Sequence, residues 1–469
     1  MWVKVFLLSG GVSGLVVPQG GKGRMFFQRR ATVASPPEVV DQCRFLSEAQ
    51  ALEVESKFGT PCYVYDAATL EARALDALSM PNKFGLTARY AMKALPNASI
   101  LRLFDHMGLH FDASSTYEAR RAMKVGIAAS KISLSTQQFD DDFADLVEEG
   151  LTVNACSLSQ LEKYGKRFPG SEVGVRFNPG VGSGGTSKTN VGGPASSFGI
   201  WHGAKDDVLS IAKTYDLKIT RVHTHIGSGS DPLVWQKAAK MSIDLCEFIG
   251  PSCTTLNMGG GYKVARMKTE KSTDLNLIAE PLLEEFQAFY DKTGTKLHLE
   301  IEPGTFLVAN AGALVSKITD VVSTKKDTKE GGRTFLKLDC GMTDILRPSL
   351  YGSQHPIIVV PQQPTEETEN YVIVGHCCES GDLLTPAPDQ PDTLSERTTL
   401  KATEGDLAVI DSAGAYCAAM STKGYNSFPD PPEVLLAKDG SFKLIKDRST
   451  LHQLLQNEII IDDPETMLK

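Results

Sequence analysis

The sequence lacks any pair of cysteines in a C-x-x-C spacing, and its nine cysteines are scattered from Cys43 to Cys417. An odd number of scattered cysteines indicates reduced thiols and argues against a disulfide framework or a zinc site. The chain also lacks a long run of basic residues, and its formal net charge is −9. This charge pattern argues against nucleic acid as a partner, and no metal site is expected.

The first 37 residues contain no acidic residue. They contain five basic residues, Lys4, Lys22, Arg24, Arg29 and Arg30, and so carry a charge of +5. Because the whole chain carries −9, the remainder carries −14. The apolar stretch from Val5 to Val17 is broken by glycines and falls short of the roughly 20 residues that span a bilayer. We therefore interpret residues 1–45 as a targeting leader of the organellar transit type, with a secretory signal or a merely disordered terminus as alternatives.

The rest of the chain has an ordinary globular composition, with 41% apolar and 22% charged residues. From residue 85 to residue 320, β-branched and aromatic runs alternate with amphipathic stretches of helical period. The strand candidates are centred on Tyr90, Asp112, Ser133, Asn154, Arg176, His223, Asn257 and Glu300. Eight consecutive βα units predict an α/β fold with a closed (β/α)8 barrel of the TIM type.

Strand signals without intervening helices follow the barrel, and they predict a mostly β domain over residues 321–457 with a tail at 458–469. The segment 46–84 precedes the barrel and contains the strand-like run GTPCYVYD. We expect this segment to contribute to the later β domain.

Polar residues and glycines cluster at the predicted strand ends, where βα barrels carry their catalytic groups. These residues are Lys93, Asp112, Ser114, Arg176, His223, His225, Ser228, Gly259, Gly260, Gly261 and Glu302. Each alone has a structural explanation, such as a solvated lysine, a core or metal-binding histidine pair, or a turn. Together they suit pyridoxal phosphate, because Lys93 can form a Schiff base, Glu302 can keep the pyridine nitrogen protonated, and glycines admit a phosphate.

Seven motifs carry a resemblance to a known family: YAMKA at 90–94, FDASS at 111–115, HTHIGSGS at 223–230, GGG at 259–261, IEPG at 301–304, CESGD at 378–382 and GAY at 414–416. Over roughly residues 55–457 the chain resembles the alanine-racemase-type, or fold type III, pyridoxal phosphate decarboxylases. Within that class it is most similar to the diaminopimelate decarboxylase family. The segments SKTNVGGPASSFGIW and LRPSLYGS resemble the bacterial branch.

The resemblance implies a role for each matching residue at the cofactor. Lys93 would bind pyridoxal phosphate covalently, His225 would stack on its ring, and Glu302 would pair with the ring nitrogen. The phosphate contacts would come from Ser228, Gly229, Gly259, Gly260, Gly261 and Tyr416. Asp112 and Arg176 are assigned to the same cofactor site.

The resemblance also implies the substrate contacts. Arg347 and Tyr351 would grip the far carboxylate of the substrate, with Tyr416 beside them, and Glu379 would bind its far ammonium. Cys378 would donate the proton that replaces carbon dioxide, and it would come from the partner subunit of a homodimer. A thiol suits this task because it is mostly protonated at neutral pH yet can give up a proton.

One residue departs from the family pattern. Members commonly read EPGR where this chain reads EPGT, so Thr305 replaces an arginine that helps to bind anionic groups. A threonine brings neither a charge nor a bidentate fork. Weaker binding and compensation by another cation both remain open at this stage.

The activity implied by the resemblance is decarboxylation of meso-2,6-diaminopimelate to L-lysine. The alternatives are a decarboxylase of ornithine, lysine or arginine, and a catalytically silent relative that regulates a true decarboxylase. A racemase is disfavoured because a single protonating cysteine suits decarboxylation better. Lysine synthesis behind a transit peptide favours a plastid over a mitochondrion.

Overall fold

A computed structural model describes residues 40–140, 143–185, 187–229, 231–326 and 331–462. The predicted leader lies almost wholly outside these ranges, and the predicted tail is described only as far as Asp462. Within the described ranges, every helix is too short or too polar to cross a lipid bilayer.

The chain enters the fold through helix α1 (Glu48–Phe58), strand β1 (Cys62–Asp66) and helix α2 (Ala67–Leu78). Ser47 and Gln50 form a capping box at the start of α1, which satisfies backbone groups that the first helical turn leaves unpaired. Asp66 caps α2 by accepting a hydrogen bond of 2.8 Å from the backbone N–H of Thr69. These caps set where each helix begins.

The predicted fold class is confirmed, because eight parallel strands close into a barrel. In chain order the strands are β2 (Leu86–Ala91), β3 (His110–Ala113), β4 (Ile132–Leu134), β5 (Thr152–Ala155), β6 (Glu172–Asn178), the short extra strand β7 (Ile200–Trp201), β8 (Lys218–Thr224), β9 (Thr255–Asn257) and β10 (His298–Ile301). Each of the eight predicted strand centres lies within one of the barrel strands.

Helices connect the barrel strands and cover their outer face. They are α3 (Ala98–His106), α4 (Thr116–Lys124), α5 (Phe143–Glu148), α6 (Leu158–Arg167), α7 (Lys205–Thr214), α8 (Pro232–Ile249) and α9 (Leu275–Thr293). In α4 the buried residues Thr116, Ala119 and Ala122 recur every third position, as expected for a helix that packs one face on a sheet. This wrapping leaves the strand ends as the accessible part of the barrel.

The remaining elements form the second, mostly β region. They are α10 (Thr305–Val308), β11 (Gly312–Ser323), β12 (Thr334–Leu338), α11 (Arg347–Tyr351), β13 (Ile357–Val360), β14 (Thr368–Val374), β15 (Pro386–Ala387), β16 (Gln390–Leu394), β17 (Arg397–Leu400), β18 (Leu407–Ile410), β19 (Glu433–Leu436), β20 (Phe442–Lys446) and α12 (Leu451–Leu455). Short 3₁₀ turns lie at Met92–Ala94, Ala129–Lys131, Ser187–Thr189, His202–Ala204, Ala309–Ala311 and Tyr425–Ser427.

The second sheet has nine strands and includes β1, from before the barrel. Strand β1 pairs antiparallel with β11 and parallel with β19. All but the last residue of β1 are buried, as expected for a strand in the middle of a sheet. One sheet is thus built from two parts of the chain, one before the barrel in the sequence and one after it.

The β region meets the mouth of the barrel at Tyr416. Its backbone N–H donates a hydrogen bond of 2.9 Å to the carbonyl of Ala94, in the turn that carries Lys93. The approach depends on Gly414, because a Cβ there would lie 1.8 Å from the carbonyl oxygen of Val308. The sheet therefore presents Tyr416 directly to the predicted site.

Candidate active site

Lys93 lies in the 3₁₀ turn that directly follows strand β2. Its Nζ donates a hydrogen bond of 3.3 Å to Ser114 Oγ, and its side chain opens into a cavity that is also lined by His225, Glu302 and Tyr416. Burial among protein atoms lowers the pKa of Lys93, but electrostatic interactions with Asp112 first, and then with Tyr416 and Glu302, outweigh burial and raise the pKa. The cavity thus contains a charged amine within reach of acidic groups.

Glu302 follows strand β10 and is buried in the same cavity. Its Oε1 accepts a hydrogen bond of 2.7 Å from Asn257 Nδ2, and its Oε2 lies 3.2 Å from His223 Nε2. Burial by itself would raise the pKa of Glu302, but His223, His225 and Lys93 together hold it well below its usual range. The side chain is therefore an ionised carboxylate.

His225 and the triple glycine form one wall of the cavity. The backbone N–H of Gly260 donates a hydrogen bond of 3.3 Å to His225 Nδ1. Burial, with the positive charges of Arg176 and Lys93, lowers the pKa of His225 well below its usual value, so the ring is neutral. Gly260 is required by close packing, because a Cβ at this position would lie 2.2 Å from the carbonyl oxygen of Glu302. Gly259 adopts a left-handed φ of +63°.

Asp112 and Arg176, two more predicted cofactor residues, are buried beside the cavity. The guanidinium of Arg176 packs over the ring of Phe198 at 5.4 Å. Burial raises the pKa of Asp112 well above its usual value, and the charge of Glu302 adds to that rise. Asp112 Oδ1 has no hydrogen-bond partner among the described residues.

A second cavity, here called the cleft, adjoins the first, and Ser228, Tyr262 and Thr305 line both. The cleft contains Arg347 and Tyr351, the predicted carboxylate grip, together with Gly229. Arg347 Nη2 donates a hydrogen bond of 3.2 Å to Ser353 Oγ, whereas its buried Nε has no partner in the described part of the chain. A ligand in the Lys93 cavity can therefore extend toward a guanidinium.

Cys378 and Glu379 are not brought to this site within one chain. Both are exposed, and neither is among the described residues that line the cavity or the cleft. The backbone N–H of Cys378 donates a hydrogen bond of 2.9 Å to Asn426 Oδ1. Supply of Cys378 by a partner subunit stays a prediction.

Asn257 is a site residue to which the sequence analysis gave no role. Its Nδ2 donates to Glu302 Oε1 and also lies 3.3 Å from Glu300 Oε2, while its Oδ1 accepts a hydrogen bond of 2.8 Å from the N–H of Gly259. One amide thus holds the carboxylate and the glycine turn in register. Its place at the end of strand β9, two residues before GGG, was the signal that could have found it.

The donor set of the cavity fits pyridoxal phosphate. It offers an amine at Lys93, an ionised carboxylate at Glu302, a neutral imidazole at His225, and glycine backbone at Gly260 and Gly261. These are the groups that the aldehyde, the ring nitrogen and the phosphate of that cofactor require. Across the described residues, no cluster of three or more His, Cys, Asp or Glu side chains could hold a metal ion.

Comparison with known proteins agrees with this geometry. Residues 67–309 match the family model of the pyridoxal-dependent decarboxylases, pyridoxal binding domain. Diaminopimelate decarboxylase of Buchnera aphidicola subsp. Acyrthosiphon pisum is 34% identical over 86% of this chain and 94% of its own length. The enzyme of that name from Escherichia coli K12 is 33% identical over 88% and 97%. A crystal structure of a diaminopimelate decarboxylase superimposes with a TM-score of 0.80 at 31% identity, covering 88% of this chain and 97% of that one.

Proposed function

Since the chain belongs to the diaminopimelate decarboxylase family of pyridoxal-dependent decarboxylases, we propose that it converts meso-2,6-diaminopimelate to L-lysine and carbon dioxide. The observation that supports diaminopimelate as the substrate is that two cavities adjoin and share lining residues. One contains Lys93 and Glu302, and the other contains Arg347 and Tyr351. This arrangement suits a long substrate that reacts at one end and is recognised at the other.

When bound, pyridoxal phosphate supplies a protonated ring that takes up the electron pair left by departing carbon dioxide. Lys93 is the residue that would hold it covalently, and the Glu302 carboxylate would keep a proton at the ring nitrogen. A neutral His225 would be free to stack on the cofactor ring, as the resemblance implies. Gly260 and Gly261 line the Lys93 cavity, and their backbone would permit a close approach of the phosphate.

Arg347 would orient the substrate by binding its far carboxylate. Its Nε is buried without a hydrogen-bond partner in the described part of the chain, so an incoming carboxylate would satisfy a group that is costly to leave unpaired. Ornithine has no second carboxylate to offer. Positioning of the reacting end by contacts at the remote end lets binding energy favour the reaction.

The proton donor is proposed to come from a second subunit. Cys378 and Glu379 are exposed on the segment that follows strand β14, where a partner chain could contact them. A homodimer with shared sites would place Cys378 above the reacting carbon of the neighbouring subunit. There the thiol would give its proton to the α carbon.

The test is an assay of carbon dioxide and lysine release from meso-diaminopimelate, run beside ornithine and L-lysine. We expect turnover of diaminopimelate in preference to both, and loss of that preference in Arg347→Ala. Equal turnover of ornithine would favour the alternative decarboxylase, and unchanged activity of Arg347→Ala would refute the role of this residue.

We also propose that residues 1–45 direct the protein to an organelle, a plastid in the first place. The support is the +5 charge without acidic residues over the first 37 positions. A fluorescent protein fused behind residues 1–45 should collect in that organelle, whereas a diffuse signal would contradict the assignment.

A further inference from the structure

Arg266 lies in the loop between strand β9 and helix α9 and lines the cleft together with Arg347 and Thr305. Two of its guanidinium nitrogens, Nε and Nη2, are buried and have no hydrogen-bond partner among the described residues. A buried donor without a partner costs about 1 to 3 kcal/mol, and more when the group is charged. Such an arrangement is expected where a ligand supplies the missing acceptor.

The loop does not need this side chain to hold its shape, because other groups fix its backbone. Arg44 Nη2 donates to the carbonyl oxygens of Arg266 and of Ala265, the latter at 3.2 Å, while Arg44 Nη1 is anchored on Asp411 at 2.7 Å. Asn310 Nδ2 also donates to the Ala265 carbonyl, at 3.1 Å. The backbone at Arg266 is therefore fixed by other groups, and the guanidinium of Arg266 lines the cleft without a role in holding the loop.

The charges around Arg266 favour an anion. Burial, followed by the positive charge of Arg347, lowers the pKa of Arg266 to about 9, so the group is still charged at neutral pH. Glu270 lies in the same cleft, but its Oε2 accepts hydrogen bonds from the backbone N–H groups of Arg266 and Met267 at 2.7 and 3.0 Å. The Glu270 carboxylate is thus engaged with backbone, and the cleft contains two guanidinium groups and Lys263 beside the exposed carboxylate of Asp389.

Thr305 connects this observation to the reaction. It lines both the Lys93 cavity and the cleft, and it stands where the family resemblance leads one to expect an arginine. We propose that Arg266 is a specificity-determining residue that binds the far carboxylate of the substrate together with Arg347, and so replaces the missing arginine at position 305. The inference rests on the proposed function and deepens it.

Two small molecules isolate the carboxylate. L-Lysine, the proposed product, keeps the far carboxylate, whereas 1,5-diaminopentane has the same chain and both amines but no carboxylate. The dissociation constant of each would be measured by calorimetry with the cofactor-loaded protein. In Arg266→Met we expect affinity for L-lysine to fall about 10- to 100-fold, as for a lost hydrogen bond to a charged group, and affinity for 1,5-diaminopentane to stay unchanged.

Lys268→Met is the matched control, because it removes the same charge from an exposed position in the same loop that does not line the cleft. It should leave both dissociation constants unchanged. In the Arg266→Met background, Thr305→Arg should restore most of the L-lysine affinity, because it returns a guanidinium to the cleft at position 305. Thermal unfolding of each variant identifies any that fail to fold. If Arg266→Met fails to fold, Arg266→Lys is used instead. It keeps the charge, so the expected loss of affinity for L-lysine is smaller.

Equal weakening of both ligands by Arg266→Met would show a structural role and overturn the inference, as would unchanged affinity for L-lysine. If the unsubstituted protein neither releases carbon dioxide from diaminopimelate nor prefers L-lysine over 1,5-diaminopentane, the proposed function fails and the inference falls with it. If the unsubstituted protein passes both tests and Arg266→Met keeps the preference, only the inference fails.

Discussion

Replacement of Glu300 by glutamine is expected to destabilise the barrel by about 3 to 5 kcal/mol, the usual cost of breaking a buried ion pair from one side. Glu300 lies on strand β10, two residues before Glu302, and is only 3% exposed. Its Oε1 lies 2.7 Å from Arg89 Nη2 and its Oε2 lies 2.9 Å from Arg221 Nε. Glutamine would leave two buried guanidinium groups without a negative charge.

The pKa of Glu300 gives a second estimate of the same magnitude. Burial would raise this pKa, but Arg89 and Arg221 overcome burial and lower it from 4.5 to about 2. A difference of this size corresponds to about 3 kcal/mol in favour of the ionised form. Because the folded pKa is depressed, this stabilisation is present above pH 4.5 and is lost as the pH falls through 2. The glutamine variant should show none of that acid-dependent loss.

Guanidinium denaturation at neutral pH, followed by circular dichroism, measures the difference in the free energy of unfolding. Glu148→Gln is the matched control, because the pair Arg167–Glu148 is equally short at 2.6 Å but both side chains are about half exposed. Exposed pairs contribute less than about 1 kcal/mol. A free energy of unfolding for Glu300→Gln within about 0.5 kcal/mol of the unsubstituted protein, or equal costs for the two variants, would refute a stabilising role of the buried ion pairs.

Three further outcomes are expected. Asn257→Leu removes the N–H that Glu302 accepts at 2.7 Å, so kcat should fall about tenfold, and an unchanged kcat would contradict this positioning role. Burial raises the pKa of Asp344 to about 7, so folding keeps a proton there and stability should decline as the pH rises from 4 to 7. Asp344→Asn should flatten the decline of the melting temperature with rising pH. If the variant and the unsubstituted protein show parallel profiles, Asp344 is not the group responsible. Mixing inactive Lys93→Ala with inactive Cys378→Ala should restore part of the activity through hybrid dimers, whereas no recovery would argue against a shared site.

The barrel could be predicted from the sequence because its strands are buried on both faces and so appear as short apolar runs between amphipathic helices. Strand β6, for example, is buried over all but its first residue. The convergence of Lys93, His225 and Glu302 followed from topology, since the ends of parallel strands meet at one mouth. Local signals and a general rule of fold geometry were sufficient there.

The roles of Asn257 and Arg266 could not be obtained in this way. The position of Asn257 before GGG marks it as near the site, but its contacts with the carboxylates of Glu300 and Glu302 depend on the pairing of strand β9 with strand β10. Arg266 lies in a long loop whose path depends on Arg44, more than 200 positions earlier in the chain. Loop conformations of this kind are set by tertiary contacts, which a pattern of residue types does not specify.

The proposed activity depends on Lys93 holding pyridoxal phosphate covalently beside the Glu302 carboxylate. The most direct measurement is borohydride reduction of the cofactor-loaded protein, followed by mass spectrometry of its peptides. We expect the yellow colour to disappear on reduction and the added mass to lie on Lys93, with no addition in Lys93→Ala. Attachment at another lysine, or a Lys93→Ala variant labelled as fully as the unsubstituted protein, would contradict the role of Lys93 in holding the cofactor.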